Sequence, residues 1–480
     1  MTSPKALVRN RNLAILGALL SITSTVHAAD QELLDVLLEN GAITAEQYRD
    51  LLERDAVTSA DILRETSAET ASTEAPIDAA ISDEIKRQIE ENSPVTASYG
   101  SSGFRLATRD GNFETNLQWR AQLRYSSQLD SDPRQLSSFN DSDVSSFEAR
   151  RLRMKIGGHG FEPWLQYYFE VDLQPSRSVD ASSSSASSRV IDWRIDLAKW
   201  GWGGIRVGQW KIDLNRERVD SSGRQQFVER SIVNRVFTLD RQVGIQLRGH
   251  SFENTRADMR YYAGVFNGEG RGVRNNDTGL MYMARLQWNF LGRDLPWRQT
   301  DIEYTELPTG SLAIAGATNT GSCTRWSSSG CGNLDGFASP ANATTDQFEI
   351  DQFVQEFAFK YRGLSIQQEY HEKSIADRVI GSNSDLTGGY MQAGYFFNNL
   401  FPKVPAPLEL AVRLARVDEP NAIDRNLENQ REEYTIAANW FFSGHNNKLT
   451  LDYSRLTLDD GFLGVGESEN RMRFQWDVSF

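Results

Sequence analysis

Apolar and polar residues alternate with period two over most of this chain, from about Gly100 to Phe480. Successive side chains of a strand point to opposite faces, so each such segment has one greasy face and one polar face. Leu117, Trp119, Ala121, Leu123 and Tyr125 oppose Asn116, Gln118, Arg120, Gln122 and Arg124. Leu152, Met154 and Ile156 oppose Arg151, Arg153 and Lys155. Leu165, Tyr167, Phe169, Val171 and Leu173 oppose Gln166, Tyr168, Glu170 and Asp172. Ile191, Trp193, Ile195 and Leu197 oppose Asp192, Arg194 and Asp196. Similar segments lie near 205–209, 242–248, 258–266, 280–290, 300–306, 353–361, 364–371, 389–397, 408–417, 433–442 and 448–456. In the last one, Met472, Phe474, Trp476, Val478 and Phe480 oppose Arg471, Arg473, Gln475, Asp477 and Ser479.

About sixteen strands are predicted, at roughly 24 residues per strand with its connection, which suits a porin-sized barrel. Periodicity alone does not say which face points inward, and a soluble barrel or sandwich would alternate in the same way. Three features favour a membrane barrel. The polar face carries repeated Arg, Lys, Asp and Glu, as a wet lumen would. The apolar face is bulky and aromatic. The final strand ends on an aromatic residue, Phe480. Consistent with this, Trp119, Tyr125, Trp164, Trp288 and Trp440 lie near strand ends, where interfacial girdles form. The expected fold class is therefore all-β, a transmembrane antiparallel barrel of about 16 strands, with a short N-terminal helical or coiled-coil extension. The stretches Ser131–Asp143, Asp180–Ser188 and Gly310–Thr345 are polar and Gly/Ser-rich and read as long outer loops.

The N-terminus reads as a secretory signal over residues 1–28. Lys5, Arg9 and Arg11 precede an apolar run from Leu13 to Ile22, and Val26-His27-Ala28 resembles a cleavage site. No longer apolar run follows, and mean hydropathy is −0.50, which excludes a helical membrane bundle but not a barrel. Residues 30–92 form a second region, expected in the periplasm. Leu33 to Leu38 and Thr44 to Leu52 read as two short helices. Ile77, Ile81, Ile85 and Ile89 then make a narrow stripe suited to self-association in a coiled coil. The barrel domain occupies 100–480.

Charge changes the picture little once it is located. The net charge of −14 gathers in residues 30–92, which hold 17 acids and 5 bases; residues 93–480 hold 48 and 43. Nucleic acid is not an expected partner; outer-membrane lipid is. Cys323 and Cys331 lie in a Gly/Ser-rich segment and are expected to close a disulfide in an oxidising compartment. The five histidines lack metal-ligand spacing, so no metal or other cofactor is expected.

The candidate chemistry lies in residues 206–241. Alternation stops there for about thirty residues after the fifth strand, and the stretch has eight basic and five acidic residues. A long loop at this place can fold into a pore, where a basic constriction attracts anions. Lys211, Arg216, Arg218, Arg224 and Arg230 are the candidate constriction residues. A second basic ladder is the candidate pore lining: Arg120 and Arg124 on one strand with Arg151, Arg153 and Lys155 on the polar face of the next, where Arg150 falls off that face. The bland reading pairs these charges with Glu148, Glu170, Asp172, Asp192 and Asp196 as wall structure.

The run Val207-Gly-Gln-Trp-Lys211, Arg216-Glu217, Ser221-Ser222 and Phe227-Val228-Glu229-Arg230-Ser231 resembles the phosphate-selective porin O and P family. Asp213-Leu214-Asn215 stands where that family commonly has Pro-Phe-Ser. The resemblance implies a trimer of sixteen-stranded barrels in the outer membrane of a Gram-negative bacterium, with an anion-selective pore. It makes a passive channel for small anions, phosphate or a related oxyanion first, the leading expectation. A general diffusion porin for small hydrophilic solutes is the alternative. An outer-membrane barrel enzyme and an envelope-tethering protein stand behind both, and no catalytic residue is expected.

Overall fold

A computed structural model describes residues 94–127, 145–173, 189–275 and 278–480. The expected signal, the N-terminal extension and the loops 131–143 and 180–188 lie outside the described residues. A hairpin comes first, β1 (Val95–Gly100) and β2 (Gly103–Thr108). There follow β3 (Glu114–Ser127), β4 (Ser145–Gly160), β5 (Glu162–Asp172), β6 (Arg189–Trp200), β7 (Gly203–Lys211), β8 (Arg241–Ser251), β9 (Met259–Phe266), β10 (Met281–Trp288) and β11 (Thr309–Gly321). A small hairpin, β12 (Arg325–Ser327) and β13 (Gly330–Gly332), precedes β14 (Phe348–Tyr361), β15 (Leu364–Asp377), β16 (Ser382–Tyr395), β17 (Leu408–Pro420), β18 (Glu428–Ser443), β19 (Asn447–Asp460) and β20 (Val465–Ser479).

Each strand from β3 to β11 and from β14 to β20 pairs antiparallel with the next, and β11 pairs directly with β14. The ring closes where β20 pairs with β3, from Met472↔Ser127 to Ser479↔Arg120. Main-chain bonds of 2.7 and 3.0 Å between Trp119 and Phe480 complete the seam. The result is a closed 16-stranded barrel, with no unpaired edge in its wall, as backbone in hydrocarbon requires. β2 pairs with the start of β3 (Phe104↔Leu117), so the first hairpin extends the wall at the end where the chain enters.

The strand near 300–306 does not form. There the Asp301 carboxylate accepts from the Thr305 amide at 3.1 Å and the Gly363 amide at 2.7 Å, which makes a turn. The strand is β11, inside the stretch expected to be a loop. Its inward residues Ser311, Ala313 and Ala315 are small and its outward residues are Leu312 and Ile314, so the contrast between faces is weak.

The polarity of the two faces reverses part-way along the long strands, while the inward-outward alternation of side chains continues unbroken. On β14, Phe353, Phe357, Phe359 and Tyr361 point outward; above them Glu349 and Asp351 point outward while Phe348 and Ile350 are buried inside. β15, β16, β17 and β19 repeat this, with Glu372, Asp385, Asp418 and Arg455 outward and Ile375, Leu386, Val417 and Leu456 inward. The reversal falls at a ring of exposed aromatics, Phe353, Tyr370, Tyr434 and Tyr453. A second ring, Trp119, Trp288, Trp440 and Trp476, lies toward the other end. Phe353 to Tyr361 and Tyr434 to Phe442 are each nine residues, about the length a tilted strand needs to cross the hydrocarbon. The barrel therefore rises beyond its greasy band with polar residues outside and a dry core inside.

That core corrects the expectation of a uniformly polar inner face. A helix α2 (Ile232–Phe237) in the β7–β8 loop buries Ile232, Val233, Val236 and Phe237 against Phe348, Ile350, Ile375, Leu386 and Val417 of the wall. Trp326 of the β12–β13 hairpin and Leu334 and Phe337 beyond it join the same cluster. Cys323 and Cys331 are disulfide-bonded across that hairpin, with Cα atoms 5.5 Å apart. Four such apolar side chains contribute roughly 6–12 kcal/mol of burial, enough to hold α2 inside the barrel.

Candidate functional site: a basic constriction beside the β3–β6 wall

The loop between β7 and β8 starts and ends at the same place. Lys211 and Arg241 are register partners, and the Ile212 amide donates to Asp240 at 2.9 Å. The chain between them folds inward and is mostly buried. It carries a single helical turn, α1 (Arg216–Val219), and then α2. Wall carboxylates hold its amides. Glu356 accepts from the Arg216 amide at 2.8 Å and Glu369 from the Glu217 amide at 2.6 Å, at the end of α1 where amides lack partners. Glu433 accepts from the Ile232 amide at 2.9 Å, and Asp452 from the Val228 amide at 3.0 Å. The carboxylates of the far wall thus fix the loop, with Arg285, Arg413 and Arg473 as their cationic partners.

Basic residues hold the other end of α1. The Lys211 ammonium donates to the carbonyls of Arg218, Val219 and Asp220 at 3.1, 3.0 and 3.1 Å. Arg230 donates to the carbonyls of Glu217 at 2.7 Å and Asp220 at 2.6 Å. Cations are favourable there because those carbonyls end the helical turn. Arg218 pairs with Asp240. The Glu217 carboxylate accepts from the Ser231 amide and hydroxyl at 2.7 and 2.8 Å, which joins the two halves of the loop. Burial lifts this carboxyl to about 7. Arg216 points away from the β3–β6 side: it donates to the Pro296 carbonyl at 2.8 Å and Ser311 at 3.2 Å, beside Trp297.

The opposite wall brings the second ladder to the loop. Arg120 donates to Ser221 and Ser222 at 3.2 and 3.3 Å and approaches Asp477 at 3.5 Å. It packs on Gly223, where a Cβ would stand 2.4 Å from its guanidinium carbon, so a larger residue there would make the guanidinium shift. Glu229 meets three arginines: Arg124 at 2.8 Å, Arg150 at 2.7 Å and Arg151 at 3.3 Å. A bulge in β4 makes Arg150 the extra residue, so two consecutive arginines reach one carboxylate. Arg153 donates to Glu170 at 2.8 Å, and Lys155 to Gln118 at 3.1 Å. Among the described residues, the Arg224 guanidinium has no hydrogen-bond or ion-pair partner; burial and then the nearby Arg298 lower its pKa, and an Arg stays charged regardless.

Cavities lie on either side of this belt. One of about 450 Å³ is lined by Arg124, Arg150, Arg151, Arg218, Glu229 and Arg230. A second, of about 580 Å³, is lined by Arg153, Lys155, Glu170, Arg194, Lys211 and Arg224. A third, of about 550 Å³, adjoins it at Arg224 and Ser221. A further concavity, about 1070 Å³, lies on the outer wall, floored by Ala263, Ala284 and Gly316. The candidate lining residues thus gather beside the loop, as do Lys211, Arg218, Arg224 and Arg230, whereas Arg216 is enclosed behind it. The wall carboxylates Glu356, Glu369, Glu433 and Asp452 and the indole of Trp297 were not singled out from the sequence. The one available signal was that Arg and Glu also recur on the inward face of the later strands.

The sequence profile described as phosphate-selective porin O and P matches residues 121–475. The chain belongs to the phosphate-selective porin O and P family. It is an outer-membrane channel protein, and porin O and P membership places its work in transport rather than catalysis. No curated protein matches it in sequence. Among solved structures it is similar to OmpT, an outer membrane protein of Vibrio cholerae, at 8% identity and TM-score 0.48, covering 76% of this chain and 97% of that one. An anion-selective porin from Comamonas acidovorans is similar at 11% identity and TM-score 0.47, over 76% and 99%. The outer membrane channel DcaP of Acinetobacter baumannii is similar at 10% identity and TM-score 0.48, over 76% and 97%.

Proposed function

We propose that this porin is a passive, anion-selective channel, assembled as a homotrimer, with phosphate or a related oxyanion as its first solute. The observation that carries this is the gathering of arginines in the lumen beside the loop. Arg124, Arg150 and Arg151 converge on Glu229, with Glu148 also 3.4 Å from Arg124 and 4.0 Å from Arg150, and Arg224, without an ion-pair partner among the described residues, lines the adjoining cavity. An anion crossing between the two cavities meets guanidinium forks that suit phosphoryl oxygens. Because the arginines at Glu229 are already partly engaged and Arg224 offers a single charge, each site is weak, and the ion can leave as readily as it arrives. Arg216 braces the loop from behind and does not meet solute in this reading.

The pairing itself favours a second reading, a general diffusion porin. Arg153 with Glu170, Arg206 with Asp196 and Arg241 with Asp192 form a largely self-compensated wall. Phosphate block of chloride current through the reconstituted porin separates the two. The anion reading predicts saturable block; an ohmic current that phosphate leaves unchanged would favour general diffusion.

A further inference from the structure

The cavity of about 550 Å³ next to Arg224 has a composition unlike the rest of the passage. It pairs an apolar plate, Trp297 with Leu295 and Pro296, with Arg224 and Arg298. Its size falls in the range of small-molecule sites, about 300–1,000 Å³. The plate is held from within the protein. Guanidinium groups of Arg216 and Arg285 lie 5.2 and 4.7 Å from the Trp297 ring centroid, and Tyr262 tilts against it at 6.2 Å. Of the other charges in the chamber, Arg260 pairs with Asp294 at 2.6 Å and Arg298 with Glu303, while the Asp220 carboxylate at its edge accepts from the Ser221 amide at 2.7 Å and shares the field of Lys211, Arg224 and Arg230. Arg224 is left as the open fork.

We propose that this chamber is a subsite for small aromatic carboxylates, with the ring stacked on Trp297 and the carboxylate on Arg224. An inorganic anion would use Arg224 and leave the indole idle. An anion that carries a flat ring uses both, and aromatic pairs gain from stacking beyond the area they bury. Arg224 also lines the 580 Å³ cavity, so a molecule held there stands in the path of other ions. The inference rests on reading the chain as an anion channel.

The test is block of chloride current in planar bilayers by benzoate, cyclohexanecarboxylate and acetate at pH 7. Benzoate is expected to reach half-block at about three- to tenfold lower concentration than cyclohexanecarboxylate, which is similar in size but cannot stack. Trp297→Phe should keep most of that ratio and Trp297→Leu should bring it to one, whatever either does to the current itself. Arg224→Gln should raise the half-blocking concentration of both carboxylates alike. Equal block by both in the unaltered porin, or a ratio that survives Trp297→Leu, would overturn the subsite. Absence of any current would instead overturn the channel reading on which it stands.

Discussion

Arg224→Gln is the cleanest perturbation of the constriction. Lys211 and Arg230 cannot serve, because each holds loop carbonyls whose loss would move the backbone. Arg224 donates no side-chain hydrogen bond among the described residues, so its replacement breaks none; the buried Asp220 carboxylate loses one nearby positive charge and keeps those of Lys211 and Arg230. Its charge nevertheless lines two cavities on the inner side of the belt. A unit charge about 5 Å from a passing ion is worth roughly 0.8 kcal/mol in bulk water and roughly 3 kcal/mol at an effective dielectric of 20. Screening at 0.1 M salt trims the lower figure further. The chloride-to-potassium permeability ratio should therefore fall by at least about two- to fourfold, from the screened lower figure, and by up to about a hundredfold, from the upper one, in Arg224→Gln, and by about the square of that factor in Arg224→Glu. Zero-current potentials across a KCl gradient read both ratios. Unchanged potentials in both variants would refute the placement of Arg224 on the ion path.

Three other substitutions probe the frame around it. Lys211→Met leaves the Val219 carbonyl without its side-chain donor, at about 1–3 kcal/mol, and leaves those of Arg218 and Asp220 to Arg230 alone, so it should lower the thermal unfolding midpoint of the detergent-solubilised barrel more than Arg224→Gln does. Phe237→Ala empties a fully buried site in the inner core, should cost about 3–5 kcal/mol and should raise single-channel conductance as α2 loosens; an unchanged conductance and midpoint would show that α2 does not restrict the lumen. The double change Cys323→Ser and Cys331→Ser releases a nine-residue loop and should remove about 2.5 kcal/mol, read as a lower midpoint that reductant does not shift further.

The legible parts of this fold are those where one face meets lipid. β3 and the second half of β20 alternate cleanly because Trp119, Leu123, Phe474 and Trp476 point outward there. β11 was hidden because Ser311, Ala313 and Ala315 offer little contrast with their neighbours. The inner core was hidden because period two has no sign: Phe348 and Ile350 continue the alternation of β14 but on the other face, beyond the aromatic ring. The loop showed itself by breaking the pattern after β7, so its place was readable. Which of its cations is free was not, because the answer depends on partners far away in sequence. Arg216 is enclosed by Pro296 and Ser311, and the amides beside it by Glu356 and Glu369, all 80 or more residues off. The arginine ladder was readable as a ladder; the β4 bulge that adds Arg150 to it was not.

The most direct measurement is the zero-current potential of the unaltered porin in a planar bilayer under a tenfold KCl gradient. A barrel whose greasy face meets lipid and whose arginine belt surrounds the water path gives discrete channels and a potential of the sign set by chloride. A potential set by potassium, or a protein that stays soluble without detergent and conducts nothing, would contradict it.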